Sequence, residues 1–270
     1  MKLALIAAIL SVSTGSAIAQ RGQEPQRPAN AAPAPRPQPD PIDFNDHAGW
    51  QSLFDGKTLA GWDGNPSVWK VVDSAIVGEY ATAAGTRNGQ TFLVWQGGEP
   101  ADFDLKLEIK LEGSAADSGI QYRASRPEPA AAGAAPASNP NAKWNIVGYQ
   151  FDFNVPGNYN GQIAEAGAGA RGVIAYRGQV VRAEAGKRPR LISSVGTLDE
   201  LGGHFRLYDW NEVHLIARGN TLTQMINGHV MAILVDEDSA KLKTRGLIGL
   251  QCAGTGPVRI SFRNIWLKTP

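Results

Sequence analysis

Apolar and polar residues alternate along most of the chain, the pattern a strand makes when successive side chains take opposite faces. The strictest case is FDLKLEIKLE, residues 103–112. Phe103, Leu105, Leu107, Ile109 and Leu111 share one face, while Asp104, Lys106, Glu108, Lys110 and Glu112 share the other with alternating sign. This predicts an antiparallel strand with a solvated charged side. A hairpin is expected over 67–77, where Trp69 and Val71 alternate with polar neighbours and Asp73 and Ser74 supply the turn. Three more strands are expected at 212–217, 221–226 and 230–235, joined at Gly219–Asn220 and Asn227–Gly228. Asn-Gly between alternating runs is a strong hairpin signal.

The segments 172–176 and 247–251 read as short strands, and 258–267 as a longer one whose alternation changes phase near Asn264, the mark of a bulge. A basic loop holds Lys187, Arg188 and Arg190, and the only short helical piece falls within 196–204. Trp50 and Trp62 bracket a Asp-Gly turn and read as core anchors. About a dozen short strands without an amphipathic helix predict an all-β, two-sheet antiparallel jelly-roll sandwich.

Both the start and the composition restrict what this fold is for. Residues 1–19 combine Lys2, an apolar run and small residues at Ala17 and Ala19, as a secretory signal does, so an exported protein, periplasmic or extracellular, is expected. Residues 20–44 are rich in Pro, Ala, Gln and Arg and read as an unfolded linker. The folded domain is expected over 45–270. The chain carries 26 Lys and Arg against 25 Asp and Glu. Losing Lys2 with the signal balances the two, so no field is offered to nucleic acid or to an anionic membrane surface. The one cysteine, Cys252, excludes an internal disulfide. A small neutral ligand such as a sugar fits this balance.

Candidate chemistry gathers in 144–172. Alternation there sends Asn145, Val147, Tyr149, Phe151 and Phe153 one way and Trp144, Ile146, Gly148, Gln150 and Asp152 the other. The second set offers a ring to stack on, a gap and two hydrogen-bonding groups, the makings of a sugar site. Residues 118–124 place Gln121 and Arg123 together on a neighbouring strand, and an arginine held there can grip ligand oxygens. Arg123, Glu165 and Arg171 are the charged groups expected around Gln150 and Asp152. Residues 126–141 are low in complexity and read as a flap or an insertion between the two site strands.

The motifs SLFDGKTLAGW, DFDLKLEIKL, SGIQYR, GYQFDF, ARG at 170–172, DWNEVHLIARGNTL, INGHV, GLIGLQ and SFRNIWLK occur in order from about Gly49 to Lys268. With them the chain resembles the 3-keto-disaccharide hydrolase domain family. The resemblance implies a concanavalin A-like jelly roll and action on glycosides already oxidised to a ketone at sugar carbon 3. Such a ketone acidifies the hydrogen on carbon 2, so a base can remove it and the enolate can expel the aglycone from carbon 1, after which water adds. On that chemistry the base is Asp152 or Glu165. The enolate is held by Arg123 with Lys143 or Arg171, Gln150 and Gln121 position the sugar, Trp144 stacks on it, and His204 is a candidate acid. Many members carry Glu where this chain has Gln150, and His near Ala253.

Two other readings fit the same residues. One is a sugar-binding module without turnover. The other, an ordinary retaining glycosidase, needs two carboxylates about 5–5.5 Å apart, whereas the strand sets an amide, Gln150, beside Asp152. No cofactor is expected, because no zinc-type cluster of His and Cys is present; a calcium held by loop carbonyls would leave no trace in the sequence.

Overall fold

Residues 103–112 form a strand over their whole predicted length, and each of its five inward apolar side chains is at most 1% exposed. Burying each contributes about 1.5–3 kcal/mol, which is why this strand sits at the middle of a sheet and not at its edge. The computed structural model describes residues 39–40, 42–127, 140–167 and 169–270. The expected signal, most of the linker, and residues 128–139 of the low-complexity stretch lie outside the described residues. Ile42–Pro270 forms one compact unit.

Strands are numbered in chain order. A ten-stranded sheet runs β12 (Arg190–Ser194), β11 (Gln179–Glu184), β15 (His229–Glu237), β14 (Thr221–Ile226), β13 (Asn211–Arg218), β6 (Phe103–Glu112), β17 (Val258–Lys268), β4 (Ala75–Tyr80) and β3 (Trp69–Val72). Its tenth strand, β1 (Gln51–Ser52), also pairs with β17. A seven-stranded sheet runs β10 (Gly172–Ala175), β9 (Ile163–Ala166), β8 (Val147–Asn154), β7 (Ala116–Ser125), β16 (Leu247–Thr255), β5 (Arg87–Trp95) and β2 (Trp62–Asp63). Strand pairs among the described residues are antiparallel except β11 with β15. The protein is thus the expected all-β, two-sheet sandwich, with its main core between the sheets.

The expected turns form for the expected reason. Asp73 and Ser74 join β3 to β4 with φ of 49° and 58°, and Asn227 and Gly228 join β14 to β15 with φ of 48° and 80°. Both pairs take the left-handed conformation that matches the twist of a two-residue hairpin. Asn264 has φ 51° where the β17–β6 register slips between Arg263 and Trp266, the bulge its phase change predicts. The one α-helix among the described residues, α1 (Leu198–Gly202), begins with a capping box in which Thr197 and Glu200 satisfy each other's backbone N–H.

Two differences are informative. Lys106 is not solvated: it is 3% exposed, and its ammonium donates to the carbonyls of Asp43, Phe44 and Asp46 while lying 4.5 Å from the Trp50 ring. It ties the start of the domain onto β6. Strand β5 escapes the alternation rule because both of its faces are covered. Leu93 enters the main core, while Phe92 and Val94 join Ala124 and Ile146 in a second apolar cluster on the outer face of the seven-stranded sheet. A strand covered on both sides reads as a continuous apolar run.

Candidate functional site

The outer face of the seven-stranded sheet carries an unbroken row of amides. Gln121 on β7 donates to the Gln150 oxygen on β8 at 3.0 Å. Gln150 donates to Gln251 on β16 at 3.1 Å, and Gln251 to Gln90 on β5 at 3.3 Å. Register explains the row, since Gln121 lies opposite Gln150 while Gly119, also on β7, lies opposite Asp152. Gly119 is what lets Gln150 cross β7. A Cβ there would stand 2.6 Å from the Gln150 amide nitrogen and 2.7 Å from its Cγ.

Asp152 lies next to Gln150 on that face and is 8% exposed. Gln162, just before β9, donates to its carboxylate at 2.8 Å. Burial pushes the Asp152 carboxyl up to about 7; the nearby Asp117 charge adds to the rise, and hydrogen bonds from Gln162 and Gln150 oppose it. Among the described residues no cation acts on Asp152. A carboxyl buried without a counter-charge and poised near neutrality suits proton transfer. Asp117, further along β7, accepts a hydrogen bond from the Tyr159 hydroxyl at 3.0 Å, and burial raises its pKa too. Asp117 and Tyr159 line an open cleft of about 730 Å³ that also receives Arg87, Asn88, Gln90 and Asn154.

Of the residues the sequence singles out, Gln121, Gln150 and Asp152 are brought together. Lys143 and Trp144 lie in a single 3-10 turn, Ala142–Trp144, packed beside β5. Trp144 is not an open stacking platform: it is 9% exposed, its indole N–H donates to Asp63, and the Lys143 ammonium sits 4.4 Å from its ring.

Arg123 does not face the amide row as expected. The β7–β8 register slips after Tyr122, and Arg123 takes φ 47°. Its guanidinium is thereby turned to the carbonyls of Ala101, Gly219 and Lys243 and to the Asp102 carboxylate, where it ties loops together and is 1% exposed.

Glu165 and Arg171 are also placed elsewhere. Glu165 lies opposite Tyr149, whose side chain enters the core, so it faces away from Gln150 and Asp152. It pairs with Arg171 at 2.8 Å and Lys243 at 2.7 Å, and Arg171 pairs in turn with Asp236 at 2.7 Å. Burial works to raise the Glu165 carboxyl, but Lys243 and Arg171 outweigh it and hold the group below its usual range. His204 stacks on His229, ring centroids 3.4 Å apart, at the β14–β15 turn of the other sheet. It has no contact with the amide row.

Sequence reasoning missed Asp117, Tyr159, Gln162, Gln251 and Gln90. Two of these were within its reach: Asp117 continues the alternation of Gly119 and Gln121 by one more step, and Gln251 is the last residue of the strand expected over 247–251, which runs on to Thr255 as β16. Gln162 and Tyr159 come from a connection without periodicity, held by Asn154 and Asn160 through side-chain to backbone bonds.

A search of curated protein sequences returned no match. Among solved structures, the chain is similar to a candidate glycosyl hydrolase from Parabacteroides distasonis ATCC 8503, with 18% identity and TM-score 0.49 over 82% of this chain and 99% of that one. It is also similar to the carbohydrate binding module CBM66 from Bacillus subtilis, with 12% identity and TM-score 0.47 over 77% of this chain and 96% of that one. A third is the Bacillus licheniformis beta-glucanase, with 7% identity and TM-score 0.45 over 82% and 99%. Residues 49–268, which contain the whole amide row, both aspartates and the cleft, match the model of one family, and the chain belongs to it: the 3-keto-alpha-glucoside-1,2-lyase-like domains.

Proposed function

We propose that this protein cleaves glycosides whose sugar bears a ketone at carbon 3, with Asp152 as the base that removes the hydrogen on carbon 2. Family membership supports a glycoside-directed role, and the observation that carries the residue assignment is the state of Asp152. Its carboxyl is pushed up to about 7 by burial, hydrogen-bonded by two amides and without a cation to quench it. Such a group is half ionised at neutral pH and gains a proton readily, as a general base requires.

The enolate that forms needs hydrogen-bond donors, not a nucleophile. The amide row supplies N–H donors, Gln121 and Gln150, on the same face as the base, and they take the role the sequence had suggested for Arg123. A residue that is already neutral and fixed by its neighbours costs little reorganisation when charge develops on the substrate. The sequence start supports export as the setting for this activity, where soluble oxidised sugars would be met.

The test is incubation with 3-keto-trehalose and, separately, with trehalose, followed by assay of released glucose. Release from the keto sugar alone is the expected outcome, and Asp152→Asn should lower it about 10²–10⁴-fold while leaving the fold intact. Equal release from both sugars would exclude the keto mechanism. Release from neither, with retained binding of the keto sugar, would identify a binding module built on the same face.

A further inference from the structure

We propose that the cleft beyond Asp152 is the aglycone subsite, and that Asp117, held by Tyr159, is the acid that protonates the departing oxygen. This rests on Asp152 acting as the base and extends it to the other end of the scissile bond. Asp117 lies opposite Asn154 and Asp152 opposite Gly119, so the two carboxylates share a face on adjacent strands as diagonal neighbours, about 7–8 Å apart in the backbone. That spacing lets one group reach carbon 2 of a sugar ring while the other reaches the oxygen on carbon 1.

Asp117 lines the open cleft together with Asn154, the residue opposite it on β8. Tyr159 donates to one Asp117 oxygen at 3.0 Å, fixing the group while its second oxygen can carry the proton. The remaining polar lining, Arg87, Asn88, Gln90 and Asn154, suits a hydroxylated aglycone, a second sugar, better than an apolar one.

Asp152 takes the proton from carbon 2, and its bonding pair forms the enolate of the carbon 3 ketone. The enolate pair then moves to form the double bond between carbons 1 and 2, restoring the ketone, as the bond from carbon 1 to the aglycone oxygen breaks and that oxygen takes the Asp117 proton. Water adds to carbon 1 and gives a proton to the Asp117 carboxylate, while Asp152 returns its proton to carbon 2. Both carboxyls end as they began, and one water has been consumed.

The experiment compares wild type, Asp117→Asn and Tyr159→Phe on two 3-keto-glucosides, one with a sugar aglycone and one with a p-nitrophenyl aglycone, which leaves without a proton. Exchange of the carbon 2 hydrogen in D₂O is followed in parallel. Asp117→Asn should slow sugar release by about 10²-fold or more and nitrophenol release less than about 10-fold, with carbon 2 exchange retained; Tyr159→Phe should show the same selectivity, more weakly. Nitrophenol release also reports that the variant is folded. Equal slowing of both aglycones, or of neither, while exchange persists would overturn the acid assignment and leave Asp152 standing. Turnover of either 3-keto-glucoside by Asp152→Asn at the wild-type rate would overturn the base, and the acid with it.

Discussion

The two faces of the seven-stranded sheet meet buried carboxylates in opposite ways. On the core side, Glu165, Asp236 and Asp238 surround Arg171, Lys243 closes on Glu165, and the Tyr149 hydroxyl donates to Asp236. Hydrogen bonds and charge from these partners outweigh burial and hold Glu165 and Asp236 below the usual carboxylate range. On the outer side, Asp152 is met by amides alone and is pushed up to about 7. Neighbouring residues of one strand, Tyr149 and Gln150, point into the two regions. The difference teaches that burial alone does not mark a reactive group. Burial with the counter-charge withheld does, because the ionised form is then costly enough to be exchanged for a proton at working pH.

The largest effect that would break this comparison comes from the paired region. Arg171→Met leaves Glu165 and Asp236 without their shared guanidinium, and removing one partner of a buried network costs about 3–5 kcal/mol. Urea or thermal unfolding should show that loss, while turnover per folded molecule should change little. A large fall in turnover with unchanged stability would mean that the core-side network, and not the amide row, holds the chemistry.

How far the sequence could foresee this depended on which face a residue took. Alternation placed Phe103–Glu112, the Asp73–Ser74 turn and the Asn264 bulge, because each expresses a local rule of strand geometry. It also put Gln121, Gln150 and Asp152 on one face, since period-2 arguments survive into the folded sheet. Arg123 failed for the same reason the others succeeded: a one-residue slip in register, with φ 47°, redirects the side chain, and nothing in SGIQYRA marks it. Glu165 lies on a short strand and Arg171 on the approach to the next, where four residues apiece carry too little pattern to fix a face. His204 had only its chemistry to recommend it.

A middle-sized effect lies in the pH dependence of stability. Asp152 has its pKa raised from 3.8 to about 7 in the folded protein, so the folded state keeps a proton that the unfolded chain has lost. Its contribution is fully present below about 4 and is lost as pH rises through about 7, at up to about 1.4 kcal/mol per pH unit. Glu165 and Asp236, with lowered values, behave in reverse: their contribution is present above their unfolded values and is lost as pH falls through the folded ones. Between pH 4 and 7, wild type should therefore lose stability relative to Asp152→Asn. A constant difference between the two would show that Asp152 is not buried uncompensated.

The smallest effect sharpens the amide side of the comparison. Gly119 has no side chain to obstruct Gln150, and its φ is not in the left-handed region, so Gly119→Ala strains no backbone but must move the Gln150 side chain. Gln150 is one of the two amides whose hydrogen bonds hold the Asp152 pKa down. Displacing it should shift the acidic limb of kcat/KM upward from about 7 by a fraction of a unit, lowering the rate about 2-fold at neutral pH and restoring it in mild alkali. A loss that is the same at every pH would assign Gln150 to holding the sugar and not to tuning the base. The two roles are separable because the glutamine reaches across a glycine, where the three atoms nearest an added methyl group all belong to Gln150.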